Sequence, residues 1–188
     1  MTNIGTRFAS NTSITDLSCL KYFGLTTITG GNTRGGGAFW MMTNLTSIEL
    51  PKTLTTIGGN VFGNIAAEEI SLPYITAFNC TANDFQNKLF GAAFALVSES
   101  ATYTKVDNLK TIHLGVKVTK ICQLFAYGRT KLTTITLPSN SVLTLENTNA
   151  FPSATTIYVK DELLSQYATA TNWSTLYNEG RIKTISEY

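Results

Sequence analysis

A hexad of the form Leu-x-x-Ile-x-Leu returns along the chain at a nearly fixed interval, and this period constrains the fold more than any single residue does. The copies are Leu45-Thr-Ser-Ile48-Glu-Leu50, Ala67-Glu-Glu-Ile70-Ser-Leu72, Leu109-Lys-Thr-Ile112-His-Leu114, Leu132-Thr-Thr-Ile135-Thr-Leu137 and Ala154-Thr-Thr-Ile157-Tyr-Val159. Their first residues lie 22, 42, 23 and 22 positions apart, and 42 is close to two periods, so one turn is degenerate or carries an insertion. Such spacing predicts a repeat solenoid, mainly β, in which short parallel strands and turns stack coil on coil. A single coil cannot bury its own apolar face, whereas stacking sets Ile on Ile, Leu on Leu and Phe on Phe.

Within one unit, Ile48 and Leu50 alternate with Ser47 and Glu49, the period of a strand with one buried face. Pro51 follows and ends the pairing because it has no amide hydrogen. Leu54-Thr-Thr-Ile57 supplies a second short apolar pair, Gly58-Gly59 a bend, and Phe62 closes the unit. Downstream, Val118-Thr-Lys-Ile121 with Phe125 and Val142-Leu-Thr-Leu145 with Phe151 fill the same places, while Ile75-Thr-Ala-Phe78 with Phe85 fits less well.

The order Leu-x-x-Ile-x-Leu-Pro-x-x-Leu-x-x-Ile-Gly-x-x-x-Phe of residues 45 to 62 resembles the BspA-like leucine-rich-repeat family of bacterial surface proteins. The resemblance covers most of the chain. Lys88-Leu-Phe-Gly91 and the variable stretch that follows are similar to an insertion common in that family, here placed around 86–108, and residues 157 to 183 are similar to its C-terminal end. Lys160 stands where the family more often has Pro, and the Cys that often follows the Phe is mostly missing. The resemblance implies an extracellular or surface-displayed binding or adhesion module, with no shared catalytic residues to carry over.

We expect one domain over residues 1–188, with repeats over 25–159 and different elements at the two open ends. At the N-terminus (1–24), Thr15 or Ser13 is placed to cap a short helix through Asp16 to Phe23, before Leu25-Thr-Thr-Ile28 opens an irregular first repeat. At the C-terminus (160–188), Leu163, Leu164 and Tyr167 have helical spacing, and Asn172 is placed to cap a second helix carrying Trp173, Leu176 and Tyr177. Gly180 stops that helix, and Arg181 to Ile185 alternates like a final strand. Trp173, Tyr167 and Tyr177 are expected to serve the lid rather than a sugar platform.

Composition narrows the function. Only 14% of residues are charged, the net charge is +2 and the Lys and Arg are scattered, so no basic stripe favours nucleic acid. No apolar run approaches the ~20 residues of a spanning helix, which argues against membrane insertion. Residues 1 to 20 lack the basic start and apolar run of a secretion signal, so a surface protein would carry its leader upstream of Met1. Cys19, Cys80 and Cys122 are odd in number and far apart; small buried hydrophobes are the expectation for them. Gly30 to Gly37 is glycine-rich, but no Gly-Lys-Ser/Thr follows, so a loop is expected rather than a phosphate cradle. The sequons at Asn11, Asn44, Asn79 and Asn172 carry little weight in a threonine-rich chain.

Catalysis finds no support. The one histidine, His113, sits between Ile112 and Leu114 and therefore points outward, and Glu68 and Glu69 are adjacent, hence on opposite strand faces or at a strand entrance. Neither a metal site nor a cofactor site is expected. The expected binding surface is the outward strand face, with Ser47, Glu69, Thr111, Thr134 and Thr156 in one column and Glu49, Ser71, His113, Thr136 and Tyr158 in another. Its hydroxyl-rich, weakly charged character suits a host or bacterial surface protein, or a glycan. The alternative is a structural or host-recognition component of a phage or prophage particle, which needs no secretion signal.

Overall fold

The computed structural model describes residues 3–30, 37–75, 77–78, 108–126 and 128–188. The expected insertion around 86–108 up to residue 107, Phe85, Cys80, the centre of the Gly30–Gly37 segment and Asn79 of its sequon lie outside the described residues.

Each coil contributes two short strands, one to each of two faces. On the first face lie β2 (Asp16–Leu17), β4 (Ser47–Ile48), β6 (Glu69–Leu72), β8 (Thr111–Leu114), β10 (Thr134–Leu137), β12 (Thr156–Val159) and β13 (Ile182–Thr184). On the second lie β1 (Asn3–Ile4), β3 (Thr27–Ile28), β5 (Thr56–Ile57), β7 (Ala77–Phe78), β9 (Lys120–Ile121) and β11 (Thr144–Leu145). The pairings are all parallel, because every coil returns to the same place in the same direction. Register follows the repeat: Ile70, Ile112, Ile135, Ile157 and Ile182 are successive partners, and all are buried. Aromatic rings in contact form a second spine, Phe8, Phe39 and Phe62 at one end and Phe125, Phe151 and Trp173 at the other, with centroids 5.8–6.3 Å apart.

Threonine has a structural role that alternation alone does not reveal. In four copies the Thr that follows the first apolar residue donates its hydroxyl to a main-chain carbonyl of the preceding coil: Thr46 to Thr15, Thr55 to Thr26, Thr133 to Lys110 and the buried Thr155 to Leu132, at 2.9–3.4 Å. These bonds tie the coils together where each chain segment enters its strand.

The N-terminal expectation needs correction. Asp16–Leu17 is a strand paired with Ser47–Ile48, only a 3-10 turn runs through Ser18–Tyr22, and Asn3–Ile4 pairs with Thr27–Ile28. Thr27–Ile28 is thus the second strand of a coil whose first strand is Asp16–Leu17. No side chain caps the turn; Asp16 instead accepts from the Ser18 amide at 2.6 Å, which holds its carboxyl below the usual range. The physical reason is that stacking against the next coil satisfies these strand edges, which an isolated short helix would leave exposed.

The C-terminal lid has the expected elements. A 3-10 turn at Asp161–Leu163 leads into α1 (Leu164–Tyr167), α2 (Trp173–Asn178) follows, and Gly180, at φ +72°, ends it in the left-handed region. Asn172 is not a helix cap: its amide donates to the carbonyls of Leu145 and Glu146 at 2.7 and 3.1 Å, fastening the lid to the last full coil. Burial pushes the Tyr167 phenol up to about 12. The unfolded chain, with a phenol near 10, therefore loses this proton first, so the contribution is complete below pH ~10 and fades as pH rises towards 12. An alkaline stability loss of about 2–3 kcal/mol is expected between those limits, and Tyr167→Phe should remove that component in urea titrations repeated across pH.

Leu114-Gly115 occupies the place of Leu72-Pro73 and Leu137-Pro138. A Cβ at Gly115 would stand 1.9 Å from the Pro73 carbonyl oxygen, so backbone lies directly on backbone. Gly115→Ala is expected to cost about 1–3 kcal/mol, read as a lower denaturation midpoint, whereas Val116→Ala at the exposed neighbour should be near neutral.

The cysteines also depart from expectation. Cys19 is an exposed free thiol, because the strand at 16–17 and the turn that follows leave it on the outer side. Cys122 is buried but disulfide-bonded, with its partner outside the described residues.

Candidate functional site

The outward side chains of the first face divide into two groups. In the five-stranded sheet β13-β12-β10-β8-β6, Glu69, Thr111, Thr134 and Thr156 form one column and Ser71, His113, Thr136 and Tyr158 the other, which Lys183 extends. Ser47 and Glu49 do not join them. β4 pairs only with β2, and a groove separates it from β6. Ile48, the counterpart of the buried Ile70, is consequently only half-buried.

The second column is more organised than a solvated face. His113 Nδ1 lies 2.8 Å from Thr136 Oγ1 and Nε2 lies 3.4 Å from a Glu69 oxygen, so one ring ties three strands together. Tyr188 packs on Tyr158 at 5.0 Å and edge-on to His113 at 6.2 Å. Thr136, between these two residues in register, is 8% exposed, contrary to the expectation of an outward solvated threonine. The Tyr188 contact depends on a 3-10 turn at Ile185–Glu187, anchored where Ser186 donates its hydroxyl to Asp161 at 2.6 Å. No repeat signal marks that turn, so Tyr188 was not visible as part of the face. Lys183 was also left out of the expected face, although the alternation of 181–185 carries the signal for it.

Around the groove, Lys21 and Glu49 form an ion pair at 2.9 Å, and this bond holds the Lys21 ammonium above its usual range. Tyr22 and Phe23 are 82% and 44% exposed beside it, and Tyr74 lies at the other wall. Nothing in the hexad pattern singles out these residues, because they sit in turns between strands.

Among the described residues no group of three or more His, Cys, Asp or Glu side chains is placed to hold a metal ion, and no helix is long and apolar enough to cross a membrane. Thr136, His113 and Glu69 stand in the order hydroxyl, imidazole and carboxylate, but the threonine is only 8% exposed.

The architecture is that of a leucine-rich-repeat protein. The BspA type leucine-rich repeat region matches the chain in six copies, over residues 2–96, 37–158 and 96–186, and the chain belongs to this family. Its members are commonly surface-associated repeat modules that bind proteins rather than catalyse reactions. No curated protein matches the chain.

Proposed function

We propose that this chain is a non-catalytic recognition or adhesion module of a bacterial surface or secreted protein, holding a protein or glycan partner on its first face. The observation that carries this reading is the register of eight outward residues, Glu69 to Tyr158, in two columns on one parallel sheet. A main chain already fixed in a sheet loses little freedom when a partner docks, so the contacts made by its side chains are not spent on ordering loops. The columns are rich in hydroxyls, poor in net charge and centred on His113 and Tyr158, an aromatic-bearing patch of the kind that dominates binding energy at interfaces. The disulfide at Cys122 supports an oxidising compartment, where such bonds persist.

Panels of host extracellular proteins, bacterial surface proteins and glycans provide the test. For whichever partner is captured, His113→Ala and Tyr158→Ala together are expected to weaken binding by at least roughly tenfold. Unchanged affinity in the double variant, with the fold intact, would remove this face as the site.

A further inference from the structure

Among the described residues the first face is interrupted once, between strands of consecutive coils. β4 closes the ladder it shares with β2, and β6 begins the ladder that runs to β13. The Ala66 amide still donates to the Leu45 carbonyl at 3.0 Å just before the strands, and the two coils then part.

The neighbouring ladders dictate which main-chain groups face the gap. Ser47 donates its amide to the Thr15 carbonyl on the β2 side, so the Thr46 carbonyl and both main-chain groups of Ile48 turn the other way. Thr111 donates its amide to the Glu68 carbonyl at 3.0 Å, so Ile70 pairs towards β8, and the amides and carbonyls of Glu69 and Ser71 turn towards β4. Two strand edges running in the same direction thus confront each other across a cavity of about 760 Å³. Proteins ordinarily pair, cover or charge such edges. Here the cavity is instead flanked by Tyr22 and Phe23, two of the four exposed large hydrophobic residues among those described, with Ile48 and Tyr74 also lining it.

Building on the recognition role above, we propose that this slot receives an extended segment of a partner polypeptide, which pairs through its main chain with β4 and β6 and completes the sheet from β2 to β13. Alternating donors and acceptors at strand spacing match a peptide backbone, the mode by which extended peptides add to sheet edges. A sugar's hydroxyls have no such period. Charge selects the side chains: Lys21 is matched by Glu49, and Lys52 and Glu69 add one charge of each sign to the lining, so the slot carries no net charge and favours an uncharged, partly apolar segment. Its aromatic rim suits apolar side chains at alternate positions of that segment.

Hydrogen exchange on the free protein tests the slot itself. The amides of Ile48, Glu69 and Ser71 are expected to exchange at least about a hundredfold faster than those of Ser47 and Thr111. Equal protection would mean that β4 and β6 pair in solution, and the proposal would be overturned. A phage-displayed library of random linear peptides, with hits remade synthetically, then serves as the probe. Hits are expected to slow exchange at Ile48, Glu69 and Ser71. Ser71→Pro deletes the slot-facing amide and should weaken them at least roughly tenfold relative to Ser71→Ala, which removes the same hydroxyl and keeps that amide. If the proline variant does not fold, the exchange readout on the unmodified chain decides. Failure to select any peptide, or hits that leave those amides unchanged, would overturn the proposal. Hits sensitive to His113→Ala and Tyr158→Ala but not to Ser71→Pro would sink the slot and leave the strand-face reading standing. Dependence on Ser71→Pro alone would support the slot and count against the columns.

Discussion

Trp173→Ala is expected to lower stability by about 3–5 kcal/mol, the largest effect of any single substitution considered. Trp173 is 1% exposed, donates its indole N–H to the Leu143 carbonyl at 2.6 Å, and packs on Tyr167 at 4.9 Å and Phe151 at 6.1 Å. Truncation removes the ring that covers the end of the aromatic spine and leaves the Leu143 carbonyl without this donor. Urea titration gives the total. Because repeat arrays respond coil by coil, hydrogen exchange should show the loss concentrated in β12, β13 and the lid, with β6 and β8 less affected. Trp173→Phe keeps most of the packing and should cost less than half as much. A uniform loss along the whole stack would contradict the lid role.

Ile135→Ala should cost about 2–5 kcal/mol, and Ile48→Ala only about 1 kcal/mol, although the two isoleucines occupy the same place in the repeat. Ile135 is fully buried between Ile112 and Ile157 in the ladder. Ile48 has Leu17 on one side and the open groove on the other, and is only half-buried. Denaturation midpoints for the pair, measured under one condition, check this directly. Equal losses would show that the coils of β4 and β6 close against each other in solution.

These two substitutions also mark how far local pattern reaches. The alternation of Ile135 with Thr134 and Thr136 reports which side of a strand is apolar, and it placed Ile112, Ile135 and Ile157 in one ladder as expected. It also located the lid, because Leu163, Tyr167, Trp173 and Leu176 repeat at helical spacing and all four are buried. Asn172 shows the limit: its type and position suit a helix cap, yet its amide found two carbonyls of the preceding coil. Asp16–Leu17 shows it again, where a segment with a local helical pattern became a strand because the next coil offered an edge to pair with.

The candidate site was legible to the same degree. Its ten side chains were assigned to the outward face from period 2 alone, and their columns are those of the repeat, but Ser47 and Glu49 stand across the groove from the other eight. The His113–Thr136–Glu69 contacts follow once the register is known, since they join neighbouring strands at equivalent positions. The Tyr188 contact does not, since it depends on a turn and an Asp161–Ser186 bond that no repeat encodes.

By itself, then, the amino-acid order determined that the chain winds into a leucine-rich-repeat stack, which side of each strand is buried and how the C-terminal end is closed. These depend on spacings of a few residues, and one repeated spacing imposes one repeated packing solution. Tertiary structure alone decided that the N-terminal segment joins the stack, that Tyr188 lies over Tyr158 and His113, and that β4 and β6 stand apart. Those outcomes depend on hydrogen bonds between coils twenty or more residues distant, where equivalent motifs compete for the same edges and only the assembled geometry selects which of them pair.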